Sequence, residues 1–182
     1  MITGGMEREY EYLIELLACA LHGKHAENRL DQVDAEKLFR AALFHGVEAM
    51  AFEAVRPWLD PNAELTGKWK EAFRTNEIVE LCQMAEYEEI VRQFTEAGVT
   101  IVPLKGILMK QMYPRPVFRK MGDLDILIEE GKQEICRDLM EGMGYEVLEY
   151  GGHIHDSYIK GYVRVELHNL LFYKEKWNNP YF

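Results

Sequence analysis

P-L-K-G-I-L-M-K-Q-M-Y-P-R-P-V-F-R-K-M-G-D-L-D-I-L-I-E, from Pro103 to Glu129, is the stretch on which the fold turns. Its centre is Gly122-Asp123-Leu124-Asp125-Ile126-Leu127-Ile128. Alternation with period two puts Leu124, Ile126 and Ile128 on one face of a strand and Asp123 and Asp125 on the other. The first face is core; the second carries two carboxylates about 6–7 Å apart along the chain. Neighbouring carboxylates repel, and a strand gains nothing structural from them. A divalent cation turns that repulsion into a binding site, because Mg²⁺ takes hard oxygen ligands and few of them from protein. The plainer reading is a pair of aspartates at a solvated strand start. Lys105-Gly106 upstream, and Arg119 four residues before Asp123, weigh against it.

Outward from this centre, Gly98 ends a helical run, and Val99 to Val102 reads as a short β-branched, buried first strand. Ile107 to Met112 is an apolar stretch of helical length that stops before Pro114. Beyond the aspartates, residues 131–143 read as a helix with Ile135, Leu139 and Met140 inward. Tyr145 to Leu148 is a third strand, and Ile154 to Ile159 with Val163 to Leu167 a hairpin about Lys160-Gly161. The order β-α-β-α-β-β-β predicts a mixed sheet with helices packed against it, an α+β core.

Upstream the chain is helical. Residues 7–21 are amphipathic, with Tyr10, Leu13, Leu17 and Leu21 at helical spacing and Ile14 and Leu16 widening the stripe. Asp34 is placed to cap a second helix, which ends near His45-Gly46 and is followed by a third reaching Val55. His45, beside that glycine, reads as a helix-terminal residue favoured by the dipole rather than as a functional group. Pro57 to Gly67 marks a connection, so a helical region over residues 1–65 precedes a core over 66–182. A long helix is expected over residues 68–97, burying Trp69, Phe73, Leu81, Met84, Ile90, Val91 and Phe94, with an acidic solvated side.

The 182 residues suffice for one domain, or a small domain with a helical appendage. A net charge of −10 gives no general pull on nucleic acid, so nucleic acid is an unlikely partner. Cys19, Cys82 and Cys136 lack metal-site spacing and read as reduced core thiols of a cytoplasmic protein. No run approaches the ~18 apolar residues of a membrane span. The aromatic-rich end, Trp177 to Phe182, suggests either a docked terminus or a natural chain that continues.

L-K-G, then Y-P, then R-x-x-G-D-L-D-I-L-I resembles the uncharacterised nucleotidyltransferase family of the DNA polymerase beta superfamily. V-E-L-H at Val165–His168 resembles that family's later acidic strand. The resemblance implies a nucleotidyltransferase-like core, Mg²⁺ or Mn²⁺ as cofactor, an NTP as substrate and a small-molecule or protein acceptor. It further implies that Glu166 joins Asp123 and Asp125 as a third catalytic and metal-holding carboxylate. On pattern alone, Glu166 is a solvent-facing strand residue beside Arg164. Three carboxylates in one small volume would raise the pKa of at least one.

Lys105, Gly106 and Arg119 are the candidates for gripping a triphosphate. The glycine permits close backbone approach, and the cations offset phosphate charge. The sequence departs from the broad superfamily pattern here: Ile107, not Ser or Gly, follows Gly106, and Asp123 lies 17 residues beyond it. A catalytically inactive module that keeps the fold is therefore the competing expectation. His153, His155 and His168 either tune the acidic site or decorate a solvated hairpin.

Overall fold

The structure, a computed structural model, describes residues 7–152 and 154–171. Two compact units divide them: one takes residues up to Glu80 together with Lys110–Lys120, the other Leu81–Met109 and the chain from Met121 onward.

The first unit is helical: α1 (Glu7–Leu21), α2 (Ala35–Phe44), α3 (Glu48–Val55), two 3-10 turns (Arg56–Trp58 and Pro116–Phe118), and the opening part of α4 (Glu64–Glu96). Asp34 caps α2 as its sequence position suggests, its carboxylate accepting from the Lys37 amide at 3.0 Å. His45 is the C-cap of that helix. The buried stripe of α1 is Tyr12, Leu13, Leu16 and Ala20, whereas Tyr10, Ile14 and Leu21 are exposed. The expected stripe thus holds at Leu13 and Leu16, with Leu17 packed against the core, and fails at Tyr10, Ile14 and Leu21; Tyr12 is inside instead, its hydroxyl donating to the Glu27 carbonyl at 2.8 Å. Around Trp69, Phe39 packs edge-on at 4.8 Å and Phe52 stacks at 6.2 Å. Val117 and Phe118 join the same core from the Lys110–Lys120 segment.

The second unit is an α+β sandwich of one sheet and its helices. Its strands are β1 (Ile101–Pro103), β2 (Leu124–Ile128), β3 (Glu146–Glu149), β4 (His155–Lys160) and β5 (Val163–His168), in the spatial order β1-β2-β5-β4-β3. β2 and β5 run parallel and every other pair antiparallel, so the sheet is mixed as expected. β1 lies at the edge, and Val102 is half exposed, so the expected buried first strand is an edge strand. Leu124, Ile126 and Ile128 of β2, with Val163, Val165 and Leu167 of β5, point into one core. Ile90 and Phe94 of α4, Ile107 of α5 (Gly106–Lys110), and Cys136 and Met140 of α6 (Gln133–Gly142) share that core. Ile135 is exposed; Cys136, one position on, takes the inward place in α6.

In α4 the expected inward Leu81 is 66% exposed, and Gln83 is buried instead. Gln83, Tyr87, Ile90 and Phe94 share one face at spacings of three and four; two residues from Gln83, Leu81 is turned about 200° away. Of the three free thiols only Cys136 is buried, its pKa pushed up to about 12 by burial; Cys19 is half-buried and Cys82 exposed. Among the described residues, no helix is long and apolar enough to cross a membrane.

Candidate functional site

Burying one face of β2 and β5 leaves the other face to their alternate residues. Parallel pairing sets Asp125 opposite Glu166 and Leu127 opposite His168. Antiparallel pairing of β4 with β5 then sets Ser157 opposite Glu166 and His155 opposite His168. The polar face therefore gathers residues from three adjacent strands through register alone. Asp123 lies just before β2, in the bend that feeds it, and is half-buried.

Asp125 is the most enclosed of the three candidate carboxylates, with 8% of its side chain exposed. One oxygen, Oδ1, receives both the Lys105 ammonium at 2.9 Å and His168 Nε2 at 2.8 Å. An ionised carboxylate only accepts, so His168 carries its proton on Nε2 and donates. Burial pushes the Asp125 pKa upward, and the two donors more than offset it, leaving the carboxyl below its ordinary value. This is the opposite of what carboxylate repulsion alone predicts.

Lys105 explains the difference. Its hydrogen bond to Asp125 raises its pKa, partial burial opposes that, and the charges of Asp125, Asp123 and Glu166 add to the rise. One ammonium thus feels all three carboxylates that the sequence singled out. Lys105 sits at φ 42°, the one non-glycine residue with positive φ among the described residues. Holding a side chain there is uncommon and costs backbone energy, a condition concentrated at functional sites.

Glu166 faces neither open solvent nor Arg164. Its oxygens lie 3.8 Å from His155 Nε2 and 3.7 Å from His168 Nε2. The two imidazole rings are 5.3 Å apart across β4 and β5. The sequence left both histidines open between tuning the acidic site and decorating a solvated hairpin; the structure sets His155 and His168 beside Glu166. His153 lies outside the described residues.

Gly106 opens α5, where a Cβ would come within 2.6 Å of Met121 Sδ. Packing against Met121 is thus one reason for glycine here. Arg119 belongs to the first unit, where it lines an open pocket of about 460 Å³ with Lys120, His45 and Tyr113. Its Nε is buried without a hydrogen-bond partner among the described residues.

A profile describing uncharacterised nucleotidyltransferases matches residues 31–182, most of the chain. The chain belongs to that family. Neither the curated proteins nor the solved structures contain a match. Membership assigns a nucleotidyltransferase-like domain to a stretch that includes both acidic strands and the Lys105–Gly106 corner.

Proposed function

We propose that the protein transfers a nucleoside monophosphate from an NTP to a hydroxyl of a small molecule or a protein, with Mg²⁺ or Mn²⁺, in the cytoplasm. The observation that carries this reading is the Asp125–Glu166 pair, side by side on parallel strands, with the Lys105 ammonium hydrogen-bonded to Asp125. A set of carboxylate oxygens, one of them paired with that ammonium, is the donor chemistry that suits a hard divalent ion. Asp123, Asp125 and Glu166 would hold it. Such ions neutralise the phosphates and lower the pKa of the acceptor hydroxyl.

The remaining work falls to the chain's own groups. His168 fixes the orientation of Asp125 through their 2.8 Å bond. Lys105, with most of its side chain in water, exchanges Asp125 for a phosphate oxygen when nucleotide arrives. The acceptor oxygen attacks the α-phosphorus, the bond to the bridging oxygen breaks, and pyrophosphate leaves as the hydroxyl proton passes to solvent or to a site carboxylate. The net charge of −10 directs the choice of acceptor away from nucleic acid.

One observation favours a second reading, an inactive module that binds partners. Gly106 is followed by Ile107, which lacks a hydroxyl for the triphosphate, and the space at Gly106 is taken by Met121. The two readings part on turnover. Protein with Mg²⁺ or Mn²⁺ and each of the four NTPs, over a panel of hydroxyl acceptors, should release pyrophosphate, and Glu166→Gln should lower that rate at least 100-fold. No product from wild type with any NTP, together with a retained metal-induced rise in Tm, would select the inactive module.

A further inference from the structure

The nitrogen ligands beside Glu166 are not needed to hold magnesium. His155, Glu166 and His168 each offer a ligand atom, and these three atoms lie within 4.8 Å of one another. They are held there by register: His155 faces His168 across β4 and β5, and Glu166 lies two residues before His168 on the same side of β5. His168 and Glu166 are mostly buried, with 9% and 19% of their side chains exposed, and His155 admits solvent from one side. A face of this kind is partly desolvated yet open to an entering ion.

The geometry points to a site for a transition-metal ion of the zinc, cobalt or manganese class, held by His155, Glu166 and His168. This inference rests on the reading of Asp125 and Glu166 as a cation centre and extends it to imidazole. The chemical argument is ligand preference: imidazole nitrogens suit zinc and its neighbours, whereas Mg²⁺ selects oxygen and water. Asp125 strengthens the case. Its Oδ1 accepts from His168 Nε2 at 2.8 Å, and Glu166 lies 3.7 Å from the same nitrogen, so that nitrogen stands between two carboxylates. A metal ion entering here takes the Nε2 lone pair of the other neutral tautomer, the ring proton passing from Nε2 to Nδ1 by way of solvent, so that His168 binds as neutral imidazole. Ligand atoms must draw in from their present separations to bind a common ion, a change within reach of side-chain rotation on fixed strands. The competing account makes the histidines simple hydrogen-bonding partners of the two carboxylates.

Chelator-treated protein titrated with cobalt(II), zinc, manganese and magnesium decides between them, read by visible absorption and by Tm. All proteins carry Cys82→Ser, because that exposed thiol would bind zinc and cobalt by itself. The expected result is a set of visible cobalt ligand-field bands characteristic of nitrogen ligation, abolished by stoichiometric zinc. His155→Gln, which changes the most exposed ligand, should weaken cobalt and zinc binding at least about tenfold while the magnesium response stays as it was. Equal cobalt affinity and an unaltered spectrum in His155→Gln would overturn the site. Asp125→Asn separates the two readings. If it loses the magnesium response while His155→Gln binds cobalt like its parent, the acidic centre stands and the histidine site does not. No response of the parent to any of the four metals would remove both.

Discussion

Asp125 shows how far a single residue's environment departs from its motif. In sequence, Asp-x-Asp announces repulsion; in the fold, Asp125 is a buried anion with two donors on one oxygen. The donors could not be read from sequence, because Lys105 stands 20 positions before it and His168 43 positions after it. Its lowered pKa fixes the sign of a stability effect. A carboxyl with a folded-state pKa below its unfolded one contributes stability above the unfolded value and loses it as pH falls through the folded one. Asp125→Asn should therefore cost about 1–2 kcal/mol at neutral pH without metal, by weakening charge-assisted hydrogen bonds to a buried group. Its melting temperature should approach that of wild type as the pH is lowered toward 3. Thermal melts from pH 7 to pH 3 measure this. A variant that melts at or above wild type at pH 7 would show that repulsion, not pairing, governs the site. The same variant should lose most of the Mn²⁺-induced rise in Tm, since a metal that binds only the folded form raises stability by mass action.

At the scale of elements, period-two alternation was enough to find β2 and β5 and to sort their faces, since one residue in two must point away from the core. Parallel pairing of two strands separated by α6, β3 and β4 was beyond local pattern; the family resemblance, by joining Glu166 to the aspartates, implied only that the strands are neighbours, and the register Asp125↔Glu166 agrees with that. Helix phase was harder. In α4 the apolar Leu81 invites an inward placement, yet Ile90 and Phe94 fix the face and leave position 83, a glutamine, inside. That burial is tolerable because Gln83 Nε2 donates to the Met121 carbonyl at 3.1 Å, just ahead of Gly122-Asp123. Gln83→Ala leaves that carbonyl without this donor and opens a small void, and should cost about 1–3 kcal/mol. Leu81→Ser on the exposed face should change stability by no more than about 0.5 kcal/mol. Chemical denaturation of the two variants tests the phase directly; the reverse ranking would mean that α4 is rotated from the face described.

For the molecule as a whole, each of the two compact units has its own hydrophobic core, and the chain passes between units more than once. The first core is built mainly by α1, α2 and α3, but it also takes Trp69 and Phe73 from α4 and Val117 and Phe118 from the segment just before the acidic strand. Removal of residues 1–61 is therefore not the loss of a self-contained appendage. It strips Trp69, 1% exposed, of Phe39 and Phe52, and it takes from Val117 and Phe118 the partners that Tyr12, Leu16 and Val55 help to form. Burying a large side chain is worth roughly 1.5–3 kcal/mol, so exposing Trp69, Phe73, Val117 and Phe118 together offsets much of a domain's net stability of about 5–15 kcal/mol. The truncated chain should aggregate on expression or, if recovered, bind a hydrophobic dye and melt without a cooperative transition. Trp69→Ala in the full chain probes the same core more gently, and should cost about 3–5 kcal/mol because a buried aromatic leaves a cavity that its neighbours only partly fill. A soluble 62–182 fragment with a sharp melt, whose Tm still rises with Mn²⁺, would mean that the second unit stands alone and that residues 110–120 find other cover.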